Sequence, residues 1–130
     1  MAADLDLVRR LGSQEQGLVV VSTTRLDGTV QTSVVNAGVL DGEVAFVARS
    51  ATRKLDNIRR TGRAAVTFRS GWEWAAVEGP ARIAGNDPQL LRDVFTAAGG
   101  THDDWDEYDR VMAAENRVAV FVTPERLWSN

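Results

Sequence analysis

Two Asp-Gly dipeptides between β-branched runs constrain the fold more than any other feature of this chain. Asp27-Gly28 separates the apolar run 18–24 from the run 30–37, and Asp41-Gly42 precedes the run 44–49. Asp-Gly in this setting predicts a hairpin turn, because glycine adopts the positive φ that such a turn requires. Strands joined by so short a turn are antiparallel. The sheet is therefore predicted to begin as a three-stranded meander.

Three further runs complete the predicted sheet: residues 63–69, 73–84 and 118–122. Gly79-Pro80 interrupts the fifth run and predicts a bulge or a sheet edge there, because proline cannot donate to a strand ladder. Closing six short strands into a barrel removes the edges that an open meander would expose. The expected fold is mainly β (α+β), a six-stranded antiparallel split β-barrel with short flanking helices, in one domain over residues 1–130.

Apolar residues at helical spacing predict four short helices. The first is capped by Asp4, the second covers residues 52–60, and the third has Pro88 in its first turn. The fourth is predicted to begin at a Thr101 cap and to carry Trp105, Tyr108 and Met112 on one side.

Composition limits the possible functions. The 130 residues contain no cysteine and one histidine, His102, so neither a disulfide nor a thiolate metal site is available, and no metal site is predicted. A net charge of −3 argues against a nucleic-acid partner. No apolar run approaches the ~20 residues of a membrane span. Residues 1–6 lack the basic start of a secretory signal, so a cytoplasmic protein is expected.

Familiar catalytic motifs are missing from the sequence. It contains no G-x-S-x-G elbow, no Walker A sequence and no G-x-G-x-x-G fingerprint. No catalytic residue can be named from it. If the protein is an enzyme, a bound cofactor is expected to carry the chemistry.

One strand-to-helix junction combines several groups that suit phosphate. Ser50 and Thr52 carry hydroxyls at the predicted helix start, where backbone N–H groups are free and the helix dipole favours an anion. Arg53 adds a planar guanidinium group that can bind two phosphate oxygens at once, and Lys54 adds a compact ammonium charge. A solvated basic helix face is the alternative interpretation of this cluster.

The same junction resembles a known family. Thr52-Arg53-Lys54, followed by Asn57, is similar to the phosphate-binding stretch of the pyridoxamine-phosphate-oxidase-like FMN-binding split barrels. Residues 31–36 and 46–48 resemble the two family strands whose backbones lie along the flavin ring. Residues 71–79 resemble the family's aromatic strand. Residues 102–108 and 117–120 resemble the closing helix and strand of the actinobacterial branch that uses the deazaflavin coenzyme F-420.

This resemblance implies a cofactor-dependent oxidoreductase that transfers hydride between reduced coenzyme F-420 and a small unsaturated or aromatic substrate. It also implies a homodimer with cofactor sites at the interface. FMN is the alternative cofactor, and a non-catalytic flavin, deazaflavin or haem carrier is the alternative function. The implied cofactor-binding residues are Val34, Val35, Asn36, Val47, Ala48, Thr52, Arg53, Lys54, Asn57 and Trp74.

The sequence departs from the family pattern at several points. Asp56 stands where relatives often have a basic residue, which is expected to weaken binding of a cofactor's anionic tail. The pyridoxamine phosphate signature near the C-terminus is absent, so vitamin B6 oxidation is not expected. Trp72 and Trp74 are predicted to share a strand face, either in the core or in the cofactor groove.

Overall fold

The structure is a computed structural model that describes residues 4–130. Met1, Ala2 and Ala3, part of the segment considered for a secretory signal, lie outside the described residues. The helices are α1 (Leu5–Gln14), α2 (Arg53–Thr61), α3 (Pro88–Ala97) and α4 (Trp105–Ala114). The strands are β1 (Leu18–Thr24), β2 (Val30–Leu40), β3 (Glu43–Arg49), β4 (Arg63–Ser70), β5 (Glu73–Gly85), β6 (Arg117–Val122) and β7 (Arg126–Ser129).

Six of the strands close into an antiparallel barrel. They pair in the order β4-β1-β2-β3-β6-β5, and pairing of β4 with β5 completes the ring. The predicted split barrel with short helices is therefore confirmed. The short strand β7, which was not predicted, adds to β5 outside the ring.

Strand β5 changes its partner where the sequence predicted an interruption. It pairs with β4 as far as Pro80 and with β6 from Ala81 onward. A Cβ atom at Gly79 would lie 1.9 Å from the carbonyl oxygen of Thr123, so only glycine allows the backbones to approach this closely. The register shift lies further along, between Ile83 and Gly85, so of the predicted alternatives the bulge is not at Gly79-Pro80, whereas the interruption predicted there coincides with the change of partner strand.

The barrel interior forms the main core, and two helices pack into it. Phe46 and Phe68 are fully buried inside, together with Leu11 of α1 and Leu55 of α2. A second, smaller cluster lies outside the barrel: Ala45, Ala119 and Phe121 of β3 and β6 lie beneath Leu91 and Val94 of α3 and Tyr108 of α4. Helices α3 and α4 therefore cover one outer face of the barrel.

Aspartates begin three of the four helices. The carboxylates of Asp4, Asp87 and Asp104 accept hydrogen bonds from the first turns of α1, α3 and α4. The predicted Thr101 cap of the fourth helix was wrong. Because the Asp104 carboxylate accepts from the Glu107 N–H at 3.1 Å, that helix begins at Trp105.

Candidate functional site

A cavity of about 440 Å³ lies between the barrel wall and helices α3 and α4, at the start of α2. We call it the main cavity. Seven of the predicted cofactor-binding residues line it: Val34, Val35, Asn36, Val47, Ala48, Thr52 and Lys54. The structure adds seven lining residues that were not predicted as ligands: Arg49, Val94, Phe95, Ala98, Tyr108, Met112 and Arg117. Strands β2 and β3 thus form one wall and the two helices the other.

The N-terminus of α2 opens to this cavity without a side-chain cap. Thr52 is in the N-cap position, but its hydroxyl donates to the Arg49 carbonyl at 3.1 Å instead of accepting from the helix. The first N–H groups of an α-helix have no partner within the helix. In α2 these groups, together with the helix dipole, remain available to an anion.

Lys54 is the cation that most clearly lacks a partner in the main cavity. It is partly buried, and this burial together with the nearby charge of Arg117 lowers its pKa. Among residues 4–130, no carboxylate lies within 4.0 Å of its ammonium group. A bound anion would offset both the lost hydration and the repulsion from Arg117.

Glu115 pairs with the other two cations of the cavity. Its carboxylate contacts Arg117 at 2.8 Å and Arg49 at 3.3 Å, and the hydrogen bond from Arg117 lowers its pKa. One carboxylate thus serves two guanidinium groups, so these three cations and Glu115 together carry two positive charges in excess, and Lys54 has no share in the pairing.

The opposite side of the main cavity is apolar and aromatic. The rings of Phe95 and Tyr108 lie 4.9 Å apart between centroids. The Tyr108 hydroxyl is turned away toward α3, where it donates to the Leu91 carbonyl at 3.2 Å, and burial raises its pKa. A cavity with one cationic end and one aromatic wall suits a flat ligand that carries an anionic group.

Three predicted cofactor-binding residues lie elsewhere. Asn57 is buried, and its amide donates to the Thr23 hydroxyl at 3.1 Å and to the Gln31 side chain at 3.3 Å. Asn57 and Arg53 line a different cavity, beside the β1–β2 hairpin. Trp74 lies on β5 and lines neither cavity. Their role in cofactor binding stays a prediction.

The predicted shared face of Trp72 and Trp74 was wrong. Trp72 belongs to the turn between β4 and β5, where it is 94% exposed, whereas Trp74 is within the strand. Asn130 fixes this end of the hairpin, accepting from the Trp74 N–H and donating to the Trp72 carbonyl. The two side chains therefore have separate environments.

His102 takes part in a local turn. Its Nδ1 atom accepts from the Asp104 N–H at 3.0 Å, just before α4 begins. Within the described part of the chain, no three His, Asp or Glu side chains are grouped as a metal site would require. None of the helices described is long and apolar enough to cross a membrane.

The family follows from the match between this sequence and a protein-family model. Residues 8–130 match the model of the pyridoxamine 5'-phosphate oxidase family. The chain belongs to this family. The assignment agrees with the split barrel and extends over all seven strands. No match is found among the curated proteins.

Solved structures share the fold of this family member at low sequence identity. A conserved hypothetical protein from Mycobacterium tuberculosis is 20% identical, with 99% of this chain and 85% of the other covered and a TM-score of 0.80. An F-420 reductase is 16% identical over 98% of each chain, with a TM-score of 0.73. The haem storage protein HutZ from Vibrio cholerae is 11% identical, with coverages of 97% and 94% and a TM-score of 0.68. These similarities establish the fold alone.

Proposed function

We propose that this protein is an oxidoreductase that binds coenzyme F-420 in the main cavity and acts on a small unsaturated or aromatic substrate. The observation that carries the proposal is Lys54, a partly buried cation without a carboxylate partner among residues 4–130, at the uncapped start of α2. The similarity in fold to an F-420 reductase supports the choice of cofactor.

In this proposal, one set of residues binds the phosphate of the cofactor and another set binds its ring. Thr52, Lys54 and the first N–H groups of α2 hold the phosphate, because they form the cationic end of the cavity. The wall formed by Val34, Val35, Asn36, Val47 and Ala48 positions the ring. The bound deazaflavin would supply the hydride. Phe95 and Tyr108 limit the access of water from the other side.

No side chain is assigned as the proton donor. Tyr108 is the lining residue with the most suitable hydroxyl, but this group already donates to the Leu91 carbonyl. In our proposal the proton that completes reduction of the substrate comes from solvent.

We further propose a homodimer, based on the uncovered outer face of the barrel. Val34, Val20, Thr67, Ala76 and Trp128 are successive cross-strand neighbours over β2, β1, β4, β5 and β7. We call this set the apolar row; its exposed apolar side chains are Val20, Val34 and Trp128, whereas Thr67 is polar and half-buried and Ala76 is only 4% exposed. Val34 is 65% exposed and also lines the main cavity. A second copy on the apolar row would therefore lie at the mouth of the cavity, and large exposed apolar surfaces usually mark an interface.

Titration of the purified protein with coenzyme F-420 tests the proposal. We expect saturable binding at micromolar concentrations, weakened about 10- to 100-fold by Lys54→Ala, since a charge-assisted contact with phosphate would be lost. Arg110→Ala is the matched control, because Arg110 is exposed on α4 and outside the main cavity. Equal affinities of the two variants, or no binding at all, would overturn the proposal.

FMN is the second candidate cofactor, because the same cationic end suits any phosphate carried by a flat ring. The same titration with FMN compares the two affinities.

A non-catalytic carrier is favoured by the engaged Tyr108 hydroxyl, which leaves the cavity without an obvious proton donor. Oxidation of reduced F-420 by an added enone or nitroaromatic compound identifies a reductase, whereas stable binding without oxidation identifies a carrier. A Soret band after addition of haem would identify a haem carrier.

A further inference from the structure

A further cavity of about 450 Å³ lies between helix α1, the end of strand β2 and the end of helix α3. We call it the α1 cavity. Its volume is close to that of the main cavity, and Ala98 at the end of α3 lines both. The end of α3 therefore stands between two cavities of similar size.

The interior of the α1 cavity is apolar. Val8 of α1, Ala37 of β2 and Phe68 of β4 line it, and all three side chains are almost completely buried in the chain. The lining residues Ser13 and Gln16 are exposed and form part of its rim. A cavity of several hundred Å³ with an apolar lining and few polar groups is typical of a small-molecule site.

Two backbone carbonyls at the end of α3 lack hydrogen-bond donors beside this cavity. The Ala97 oxygen lies 2.1 Å from the place of a Cβ atom on Gly38, and the Ala98 oxygen lies 2.3 Å from that place on Gly17. All four residues line the α1 cavity. Neither oxygen accepts a hydrogen bond from a group of residues 4–130. A ligand with N–H donors would satisfy carbonyls that the helix end leaves free.

The electrostatic preference of the α1 cavity is opposite to that of the main cavity. Both α1 and α3 end at the α1 cavity, and the C-terminus of a helix carries roughly half of an elementary negative charge. Arg9 also lines the cavity, but its guanidinium group pairs with the Asp6 carboxylate at 3.1 Å. The two helix ends therefore favour a cation, whereas the excess positive charge beside Lys54 in the main cavity favours an anion.

We infer that the α1 cavity is a second binding site, specific for a small molecule with an apolar body and a protonated amine. The apolar body would contact Val8, Ala37 and Phe68, and the ammonium group would donate to the free carbonyls at the end of α3. Hydrogen bonds from a charged donor are stronger than those from a neutral one. This inference rests on the residues of the α1 cavity and does not depend on the proposed function of the main cavity.

Calorimetric titration with three compounds that share a phenyl body tests the site and its charge preference: 2-phenylethylamine, 2-phenylethanol and 3-phenylpropionate. We expect saturable binding of the amine at millimolar concentration or below, at least about tenfold tighter than binding of the carboxylate. The alcohol should have an intermediate affinity, because its hydroxyl donates a hydrogen bond but carries no charge.

Two pairs of variants locate the bound amine. Ala97→Met fills the cavity from the last residue of α3 and should weaken amine binding at least about tenfold. Ala114→Met makes the same change at the last residue of α4, outside both cavities, and should not weaken it. Ser13→Leu narrows the rim from an exposed position that tolerates the change, and Gln14→Leu, exposed next to it and outside the cavity, is its control. Urea denaturation of each variant checks the fold.

Lys54→Ala distinguishes the α1 cavity from the main cavity. It should leave amine affinity unchanged, whereas an amine bound in the main cavity would bind more tightly once a positive charge is removed. The inference is overturned if the amine does not bind saturably, if the carboxylate binds as tightly as the amine, or if Lys54→Ala strengthens amine binding. It is also overturned if Ala97→Met and Ser13→Leu both bind the amine like their controls. Failure of F-420 to bind would overturn the proposed function and leave these outcomes unaffected.

Discussion

The two outer faces of the barrel differ in what covers them. On β3 and β6, the outward side chains Ala45, Ala119 and Phe121 are buried beneath α3 and α4. On β1 and β7, the outward side chains of Val20 and Trp128 remain 38% and 44% exposed within the described part of the chain. Both faces carry apolar side chains, but helices α3 and α4 of the same chain cover the face formed by β3 and β6.

This difference explains where the main cavity forms. The main cavity lies where helices α3 and α4 meet strand β2. Val34 lines this cavity and is also a member of the apolar row on the uncovered face. The covered face provides the aromatic wall and the cationic end. The uncovered face provides the mouth, which in our proposal a second copy closes.

Gly38→Val should have the largest effect, on the covered face. A Cβ atom at Gly38 would lie 2.1 Å from the Ala97 carbonyl oxygen, which is backbone at the end of α3 and cannot turn away. We expect a loss of about 3 kcal/mol in the free energy of unfolding, measured by urea denaturation. Gly12→Ala, where the new atom would lie 3.4 Å from the Phe68 ring, serves as the control and should change stability little. Comparable losses in both variants would show that α3 does not pack directly on β2.

Val20→Glu should act on the uncovered face by separating subunits. A charge within the apolar row would be desolvated in a dimer, and we expect at least a ~100-fold weaker association, equivalent to about 2.7 kcal/mol. Light scattering coupled to gel filtration measures the mass. Val111→Glu makes the same change at a valine of similar exposure on α4, 39% against 38%, and should leave association intact. A monomeric unmodified protein would contradict the homodimer proposal.

Tyr108→Phe should have a moderate effect on the covered face. It removes the hydrogen bond to the Leu91 carbonyl, which remains an acceptor within helix α3, at a cost of about 1 kcal/mol. Urea denaturation again measures the change. Affinity for the cofactor should remain, because the ring still forms the wall. A loss of activity without a loss of cofactor binding would instead identify the hydroxyl as the missing proton donor.

The pH dependence of stability should show the smallest effect, through Lys54. Because burial and Arg117 lower the pKa of Lys54 in the folded chain, the unfolded chain binds more protons in the window between the lowered value and the ordinary one. The contribution of this residue to the free energy of unfolding should therefore rise with pH across that window. Solvent exposure of the side chain keeps the slope small. Lys54→Met should remove the slope, and an unchanged slope would show that other groups cause it.

The strands and their turns could be predicted because their signals are local. Asp-Gly pairs and alternating side chains lie within a few residues of the structures they specify. Strand β7 was missed, since four residues after a proline carry too little periodicity and its pairing with β5 depends on distant contacts. The roles of Arg117 and Tyr108 in the cavity also depend on where α4 and β6 pack, which no local pattern encodes.

The predicted phosphate site illustrates the limit most clearly. Thr52-Arg53-Lys54 is one motif in the sequence, but successive residues of an α-helix point about 100° apart. The structure accordingly places Lys54 on one side of α2 and Arg53 on the other. The sequence predicted one phosphate site at this segment, whereas the division of its residues between two cavities follows from helix geometry and from the hairpin packed against the helix.

The uncapped start of α2 also has a consequence for the stability of the protein without ligand. Replacing a helix cap by a residue that makes no bond costs about 1 kcal/mol, and Lys54 adds the cost of a partly buried charge. A ligand that satisfies these groups would raise the free energy of unfolding by about 2.7 kcal/mol at one hundred times its dissociation constant. The melting temperature should therefore report occupancy of the main cavity, and a thermal-shift screen of anionic cofactors would rank them without any knowledge of the substrate.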